Sequence, residues 1–396
     1  DMAVGVPGEN NGAGAVNVLY GAPWGPKLAG DQFFRQGVNG VLQTSEAGDE
    51  FGSVLAHGDF NGDGFDDLAI GAPGEALSGK NNSGVVNILY GSAGGLTTGG
   101  DQVWSQDSNF IADVSETGDR FGASLATGDF NGDGFADLAI GVPGEDQGGK
   151  ANTGRVQVIF GSPSKLVAGF SQTWHQNIKD VLDANQPNDN FGSALAGGDF
   201  DNDGFWDLAI GVPGQMVAGN GRSGAVAILP GSVLGLTSVD NQFWHQDKAG
   251  VNDTSEANDE YGSALATGDF DNDGFTDLAI GIPLEGVGAL SDAGAVAVMY
   301  GGGSGIDSAG DQLWHEDSTG IYGVAAADDQ FGFALAVGDS TGDNYDDIVI
   351  GIPNQAIGGD AGAGTVALIR GSASGLSATG NQRWHEDRAG TLGTAQ

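Results

Sequence analysis

Residues 51–75 read FGSVLAHGDFNGDGFDDLAIGAPGE, and the same pattern returns along the chain. It opens again at Phe121 (FGASLATGDFNGDGFADLAIGVPGE), Phe191 (FGSALAGGDFDNDGFWDLAIGVPGQ), Tyr261 (YGSALATGDFDNDGFTDLAIGIPLE) and Phe331 (FGFALAVGDSTGDNYDDIVIGIPNQ). Successive openings lie 70 residues apart every time. The first nine residues, DMAVGVPGE, match the end of the stretch, so six repeat units are visible and the first lacks its opening. A fixed period of this kind outweighs the two or three domains that 396 residues would otherwise suggest. The expectation is one repeat domain over 1–396, with units near 1–50, 51–120, 121–190, 191–260, 261–330 and 331–396.

Turn signals cut each unit into four short strand candidates. The first holds the FG and following residues (Phe51 to Ala56), and the second is the LAIG segment (Leu68 to Gly71). The third reads like Val85 to Tyr90, and the fourth carries Gln102 and Trp104. Apolar residues on both strand faces fit sheets packed between neighbouring sheets. Helical periodicity is missing over any useful length. Four strands per unit, repeated, predicts an all-β fold, a β-propeller of four-stranded antiparallel blades, with a seventh blade possible in a longer protein. A solenoid is the competing reading, because stacking along one axis also gives a fixed period.

Outside the repeat, composition narrows the choices. Thirteen Lys+Arg stand against 53 Asp+Glu, for a formal charge of −40. So acidic a surface repels phosphate backbones, which argues against nucleic acid as a partner. Collagen is excluded, because only 11 Pro accompany the 74 Gly and no Gly-X-Y period runs through the chain. Cysteine is absent, which removes disulfides, thiolate zinc sites and Cys nucleophiles. No run of 18 apolar residues occurs, so no membrane-spanning helix is expected. The start, Asp1-Met2-Ala3-Val4-Gly5, reads as the middle of a structural element, as in a processed or trimmed chain.

Between the first two strands of each unit lies a nine-residue loop, Asp59-Phe60-Asn61-Gly62-Asp63-Gly64-Phe65-Asp66-Asp67 in the first full copy. Oxygen side chains at positions 1, 3, 5 and 9 and a main-chain carbonyl at position 7 can wrap one hard cation. Ca²⁺ takes six to eight such oxygens at roughly 2.3–2.6 Å. Position 6 is Gly, which permits the positive φ where the chain doubles back. The candidate ligands are Asp59, Asn61, Asp63, Phe65 and Asp67; Asp129, Asn131, Asp133, Phe135 and Asp137; Asp199, Asp201, Asp203, Phe205 and Asp207. The last two sets are Asp269, Asp271, Asp273, Phe275 and Asp277, then Asp339, Thr341, Asp343, Tyr345 and Asp347. The fifth loop departs, with Thr341 in place of a carboxylate or amide and Asn344 in place of the Gly. The first half of the pattern seen at Asp59 to Gly64 resembles an EF-hand loop, but no helices flank it and no Glu stands at position 12. A metal-free hairpin turn rich in Asp and Asn is the plainer reading of one loop; five copies favour calcium, about five ions per chain. Those loops hold 19 of the 53 acidic residues, and five Ca²⁺ would bring the balance to about −30.

The FG and GAP elements bracketing a DxNxDGxxD loop resemble the FG-GAP repeat of integrin α-subunit propellers, also found in GPI-specific phospholipase D and many bacterial surface proteins. Phe51-Gly52 and Gly71-Ala72-Pro73 carry the likeness almost literally. The resemblance implies an extracellular or cell-surface, calcium-stabilised propeller of bacterial origin, acting as an adhesion or ligand-binding module for a protein or glycan. Two other readings stay open: the non-catalytic propeller portion of a secreted hydrolase, and a structural subunit of a surface assembly. No GxSxG, HExxH or P-loop occurs, so no catalytic residue is assigned. His175, His245, His315 and His385 share one repeat position after a Trp, and Ser105 and Arg35 fill it elsewhere, which points to packing rather than a metal centre. Trp206 and Trp24 break the repeat pattern; ordinary packing is the plainer reading, and sugar or protein contact is the other. The first unit lacks its innermost strand, and an open edge there invites strand addition by the tail or by another subunit.

Overall fold

The computed structural model describes residues 1–22 and 25–387. Trp24 and the chain after Asp387, including the tail considered for strand addition, lie outside the described residues. The protein is all-β and belongs to the six-bladed β-propeller class, with antiparallel sheets that run up and down in chain order.

The chain divides into two compact units. Unit 1 comprises Asp1–Leu195 with Val233–Gly235. Its first sheet holds β1 (Met2–Gly5), β2 (Val16–Tyr20) and β3 (Lys27–Phe34). The second holds β4 (Val54–Gly58), β5 (Asp67–Ala72), β6 (Val85–Tyr90) and β7 (Thr97–Trp104). The third holds β8 (Ser124–Gly128), β9 (Asp137–Val142), β10 (Arg155–Phe160) and β11 (Val167–Trp174). Unit 2 comprises Ala196–Ser232 and Leu236–Gln396. Its sheets are β12 (Leu195–Gly198), β13 (Asp207–Val212), β14 (Ala225–Leu229) and β15 (Gln242–Trp244); β16 (Ala264–Gly268), β17 (Asp277–Ile282), β18 (Ala295–Tyr300) and β19 (Asp307–Trp314); and β20 (Ala334–Gly338), β21 (Asp347–Ile352), β22 (Thr365–Arg370) and β23 (Ser377–Trp384). The first sheet has three strands and each of the others four, as the incomplete first repeat requires.

Every residue of β5 and β6 is buried, so both faces of these strands meet apolar neighbours. That is why the LAIG and VVNILY segments lack the polar–apolar alternation of a sheet with one wet face. Within unit 1, Phe121, Leu138 and Ile140 share one core with Phe60, Val86 and Ile88 of the preceding blade. In unit 2, Tyr261, Leu278 and Met299 do the same with Phe200, Val226 and Ile228.

The FG pair lies outside the first strand, contrary to the expected Phe51–Ala56 element. Glu50 and Gly52 have φ of 59° and 87°, which interrupts extended pairing, so β4 begins at Val54. Phe51 is instead fully buried and forms a parallel bridge to Gly14 of the preceding blade. The glycines of FG and GAP form a backbone contact between blades. Gly122 N–H donates to Gly141 O at 3.0 Å within its own blade. A Cβ on Gly71 would overlap the carbonyl oxygen of Gly122, and one on Gly281 would overlap that of Gly332. No side chain fits between strands this close.

The fourth-strand signature also acts between blades. Tyr90 OH donates to Gln102 Oε1 at 2.5 Å, and Gln102 Nε2 donates to Leu166 O of the next blade at 3.1 Å. Gln312 repeats this with Tyr300 at 2.8 Å and Leu376 O at 3.1 Å. The glutamine thus ties the outer edge of one blade to its neighbour.

Candidate metal centres

The nine-residue loops join the first and second strands of each four-stranded blade, and in all five the first aspartate accepts the N–H groups of positions 5 and 6. In the β4–β5 loop, Asp59 Oδ1 accepts the N–H groups of Gly62 (2.7 Å) and Asp63 (3.1 Å), and Oδ2 accepts Gly64 N–H at 2.8 Å. Asn61 Oδ1 accepts Asp63 N–H at 2.9 Å, and Asp63 Oδ1 accepts Phe65 N–H at 3.0 Å. Such side-chain-to-backbone turns fold the loop before any ion arrives and leave lone pairs on each oxygen. Gly64 has φ of 86°, and Asn344, its replacement in the β20–β21 loop, reaches 70°, as its tolerance of left-handed geometry predicts.

The structure gathers the first three predicted ligands. One oxygen each of Asp199, Asp201 and Asp203 lies within 4.8 Å of the others, and Asp269, Asp271 and Asp273 form the same group. Asn61 and Asn131 occupy the middle position of the β4–β5 and β8–β9 loops, with the same backbone donor at 2.9 Å in each. Three hard oxygen donors of like charge at this spacing fit a divalent cation and suit Ca²⁺. In the fifth loop the Thr341 hydroxyl donates to Asp339 Oδ1 at 3.4 Å, so that copy offers a weaker set.

The ninth-position aspartates have a further task. Asp67 is buried, and its Oδ2 accepts Phe60 N–H at 3.0 Å while Oδ1 accepts Gly91 N–H at 2.8 Å. Asp137, Asp207, Asp277 and Asp347 repeat both bonds, with Gly161, Gly231, Gly301 and Gly371 as the second donor. Each pins the loop to the turn after the third strand. Burial pushes the carboxyls of Asp67 and Asp207 up to about 7, and those of Asp137 and Asp277 up to about 8, against the pull of those N–H groups and with help from the neighbouring loop aspartates. A bound cation would act in the opposite sense. The seventh-position residues Phe65, Phe135, Phe205, Phe275 and Tyr345 donate their own N–H to the fifth-position aspartate. Neighbouring loops also join within each unit: Ala136 N–H donates to Asp59 O, and Asp346 N–H to Asp269 O.

The opposite ends of the blades carry a second acidic series that the sequence reading passed over. Asp49, Asp119, Asp189, Asp259 and Asp329 are all buried, each two residues before the aromatic of FG. Gln36 meets Glu75 at 2.9 Å, and Gln246 meets Glu285 at 2.6 Å. Aligning the repeats on their own period would have exposed this aspartate, since it recurs in every copy. Of the four histidines, His175 Nδ1 accepts Asn177 N–H at 3.2 Å, and His315 N–H donates to Ser318 Oγ at 3.0 Å; both lie in the turn after a fourth strand. Trp206 stands 42% exposed beside the β12–β13 loop.

Four stretches, 51–89, 121–159, 191–229 and 261–299, match the FG-GAP repeat family. The chain thus carries four FG-GAP repeats in a fold of the β-propeller class. It is 34% identical over 180 residues to a phosphatidylinositol-glycan-specific phospholipase D of Rattus norvegicus, covering 45% of this chain and 20% of that protein. Integrin alpha-PS2 of Drosophila melanogaster is 36% identical over 215 residues, covering 52% of this chain and 15% of the relative. The chain thus spans about a fifth or less of the length of these relatives. Among solved structures, the exotype rhamnogalacturonan lyase YesX aligns over 96% of this chain and 58% of its own, with a TM-score of 0.42 and 14% identity. No helix among the described residues is long and apolar enough to cross a membrane.

Proposed function

We propose that this chain is an extracellular, calcium-stabilised propeller that serves as an adhesion or ligand-binding module for a protein or glycan. The observation that supports it is the gathering of the loop carboxylates, as in Asp199, Asp201 and Asp203, on blades otherwise held by apolar packing. Sensor-like affinity is not needed for such a role; weak sites filled by extracellular calcium suffice. The likeness to an integrin alpha supports the binding role. The recognition surface would be the connections between second and third strands, residues 75–83, 145–153, 215–223, 285–292 and 355–361, which vary most between repeats on a fixed scaffold. The reading assigns the chain no catalytic role of its own. The likeness to a phosphatidylinositol-glycan-specific phospholipase D favours a second reading, in which this is the non-catalytic propeller part of a secreted hydrolase.

A glycan and extracellular-protein array probed with and without Ca²⁺ tests the proposal. Calcium-dependent capture on a defined class of ligand is expected. Identical blank arrays in both conditions, with a melting temperature indifferent to chelator, would sink both the binding role and the calcium.

A further inference from the structure

The outer edges of unit 1 carry apolar side chains that packing within the blades does not explain. Among the described residues, the four most exposed large hydrophobics are Phe170 (85%), Leu234 (81%), Phe110 (79%) and Val233 (74%). All four belong to unit 1, which includes Val233–Gly235. Hydrogen bonds place them on adjoining edges. Ser171 Oγ, next to Phe170 in β11, donates to Phe110 O at 2.9 Å. Gln172 Nε2, two residues beyond Phe170, donates to Leu234 O at 3.2 Å. Beside Phe110 a groove opens between β7 and the start of β11, lined by Val103, Trp104, Leu166 and Ala168.

The sister positions show what the fold itself needs here. Gly40, Asp180, Gly250 and Gly320 take the place of Phe110 in other repeats, each with positive φ. The turn thus calls for a left-handed residue, and Phe110 fills it at φ 68°, which a bulky side chain adopts only against strain. Phe170 stands where other repeats have Gly30, Gly100, Asp240, Gly310 and Gly380. Leu234 stands where the other four-stranded blades have Gly94, Ser164, Ser304 and Ser374. The blades therefore form without an apolar side chain at any of these places. Apolar groups exposed together, one of them on strained backbone, mark a surface that meets something outside the chain.

The chemistry of the surface selects among partners. Its protruding side chains bring no hydrogen-bonding atom, so a sugar gains no orientation from them. Its surroundings are acidic: Asp107 lines the groove, Glu116 is exposed in the same connection, and the chain carries a formal charge of −40. A second copy would set like charges against these. An apolar centre with an acidic rim instead complements apolar side chains flanked by Lys and Arg.

We infer that Phe110, Phe170, Val233 and Leu234, with the groove beside Phe110, form a docking surface for a protein segment that carries apolar side chains between basic ones. The surface is separate from the nine-residue loops and from the connections between second and third strands. The two Phe rings, each bringing on the order of 150–250 Å², anchor the segment, and the carboxylates meet its cations.

The test measures fluorescence anisotropy of two labelled synthetic peptides of equal length and charge, at physiological ionic strength with Ca²⁺ present. One alternates Leu with Lys, the other Ser with Lys. The variant Phe110→Gly/Phe170→Gly/Leu234→Ser copies residues that sister repeats already carry, so it should fold like the wild type. The Leu–Lys peptide should bind the wild type more tightly than the variant by about tenfold or more. The Ser–Lys peptide reports charge alone and should bind both proteins equally. Equal affinity of the two proteins for the Leu–Lys peptide overturns the assignment. A wild type that dimerises in sedimentation while the variant stays monomeric also overturns it, giving the surface to a second copy. Flotation of the wild type but not the variant with phosphatidylcholine vesicles does the same, giving it to a lipid surface. If the triple variant fails to fold, Phe170→Gly alone decides by the same comparison.

Discussion

Asp137 shows how much one side chain does in this architecture: it is buried, holds two backbone N–H groups, and stands next to a candidate ion. Glutamates at the other end of the blades are under similar pressure without a loop ion nearby. Burial pushes Glu145 up to about 8 although Arg155 pulls the other way, and it pushes Glu316 up to about 8 and Glu75 up to about 7. In the unfolded chain these carboxyls ionise near the ordinary glutamate value of 4.5. Between that pH and about 8 the folded protein therefore holds more protons than the unfolded one, so stability falls as pH rises. Melting temperatures measured in calcium from acid to mildly alkaline pH should decline across this window. Glu145→Gln should flatten the decline, because Gln215 already fills that position in the β12–β15 blade with 2% exposure. A slope identical to the wild type would show that Glu145 is ionised throughout.

At the scale of the element, the repeating signatures resolve into contacts between blades. The GAP glycine is there because the next blade's FG backbone touches it. Gly71→Ala forces a Cβ into the Gly122 carbonyl and should cost about 3 kcal/mol or more, beyond ordinary overpacking. Gly351 is the informative comparison. A Cβ there meets only Ala334, at 3.4 Å, so Gly351→Ala should change stability by less than about 1 kcal/mol. Chemical denaturation of the two variants checks the contrast, and equal losses would mean that strand geometry, not blade contact, selects the glycine. The same logic explains Gln102 and Gln312, whose carboxamides reach a carbonyl in the following blade. From the sequence these looked like strand markers. Their partners lie 64 residues away, which no local pattern reveals.

For the whole molecule, the decisive quantity is the charge of −40. Without divalent ions, the clustered carboxylates repel one another and the compact state is strained by its own charge. Raising ionic strength from about 0.01 M to about 1 M shortens the screening length from about 30 Å to about 3 Å, so the chelated protein should gain melting temperature with salt. Adding Ca²⁺ at tenfold its Kd should stabilise by about 1.4 kcal/mol per site and blunt the salt effect. Differential scanning calorimetry over both variables tests this; a chelated protein as stable as the calcium-loaded one would remove the ions from the folding account.

The sequence by itself determined the period, the all-β class, the run of strands within each unit and the order of the oxygen-bearing side chains in the nine-residue loops. All of these are local: Asp199, Asp201 and Asp203 meet because a five-residue turn brings them together. The exact start of the first strand was less legible, since the positive φ of Glu50 and Gly52 depends on how Phe51 is drawn into the preceding blade. Only the tertiary structure decided which buried carboxylates find a guanidinium. It also decided which glycines lie against a neighbouring backbone. Those outcomes depend on blades packing side by side, and packing sets distances between segments that the chain order leaves free.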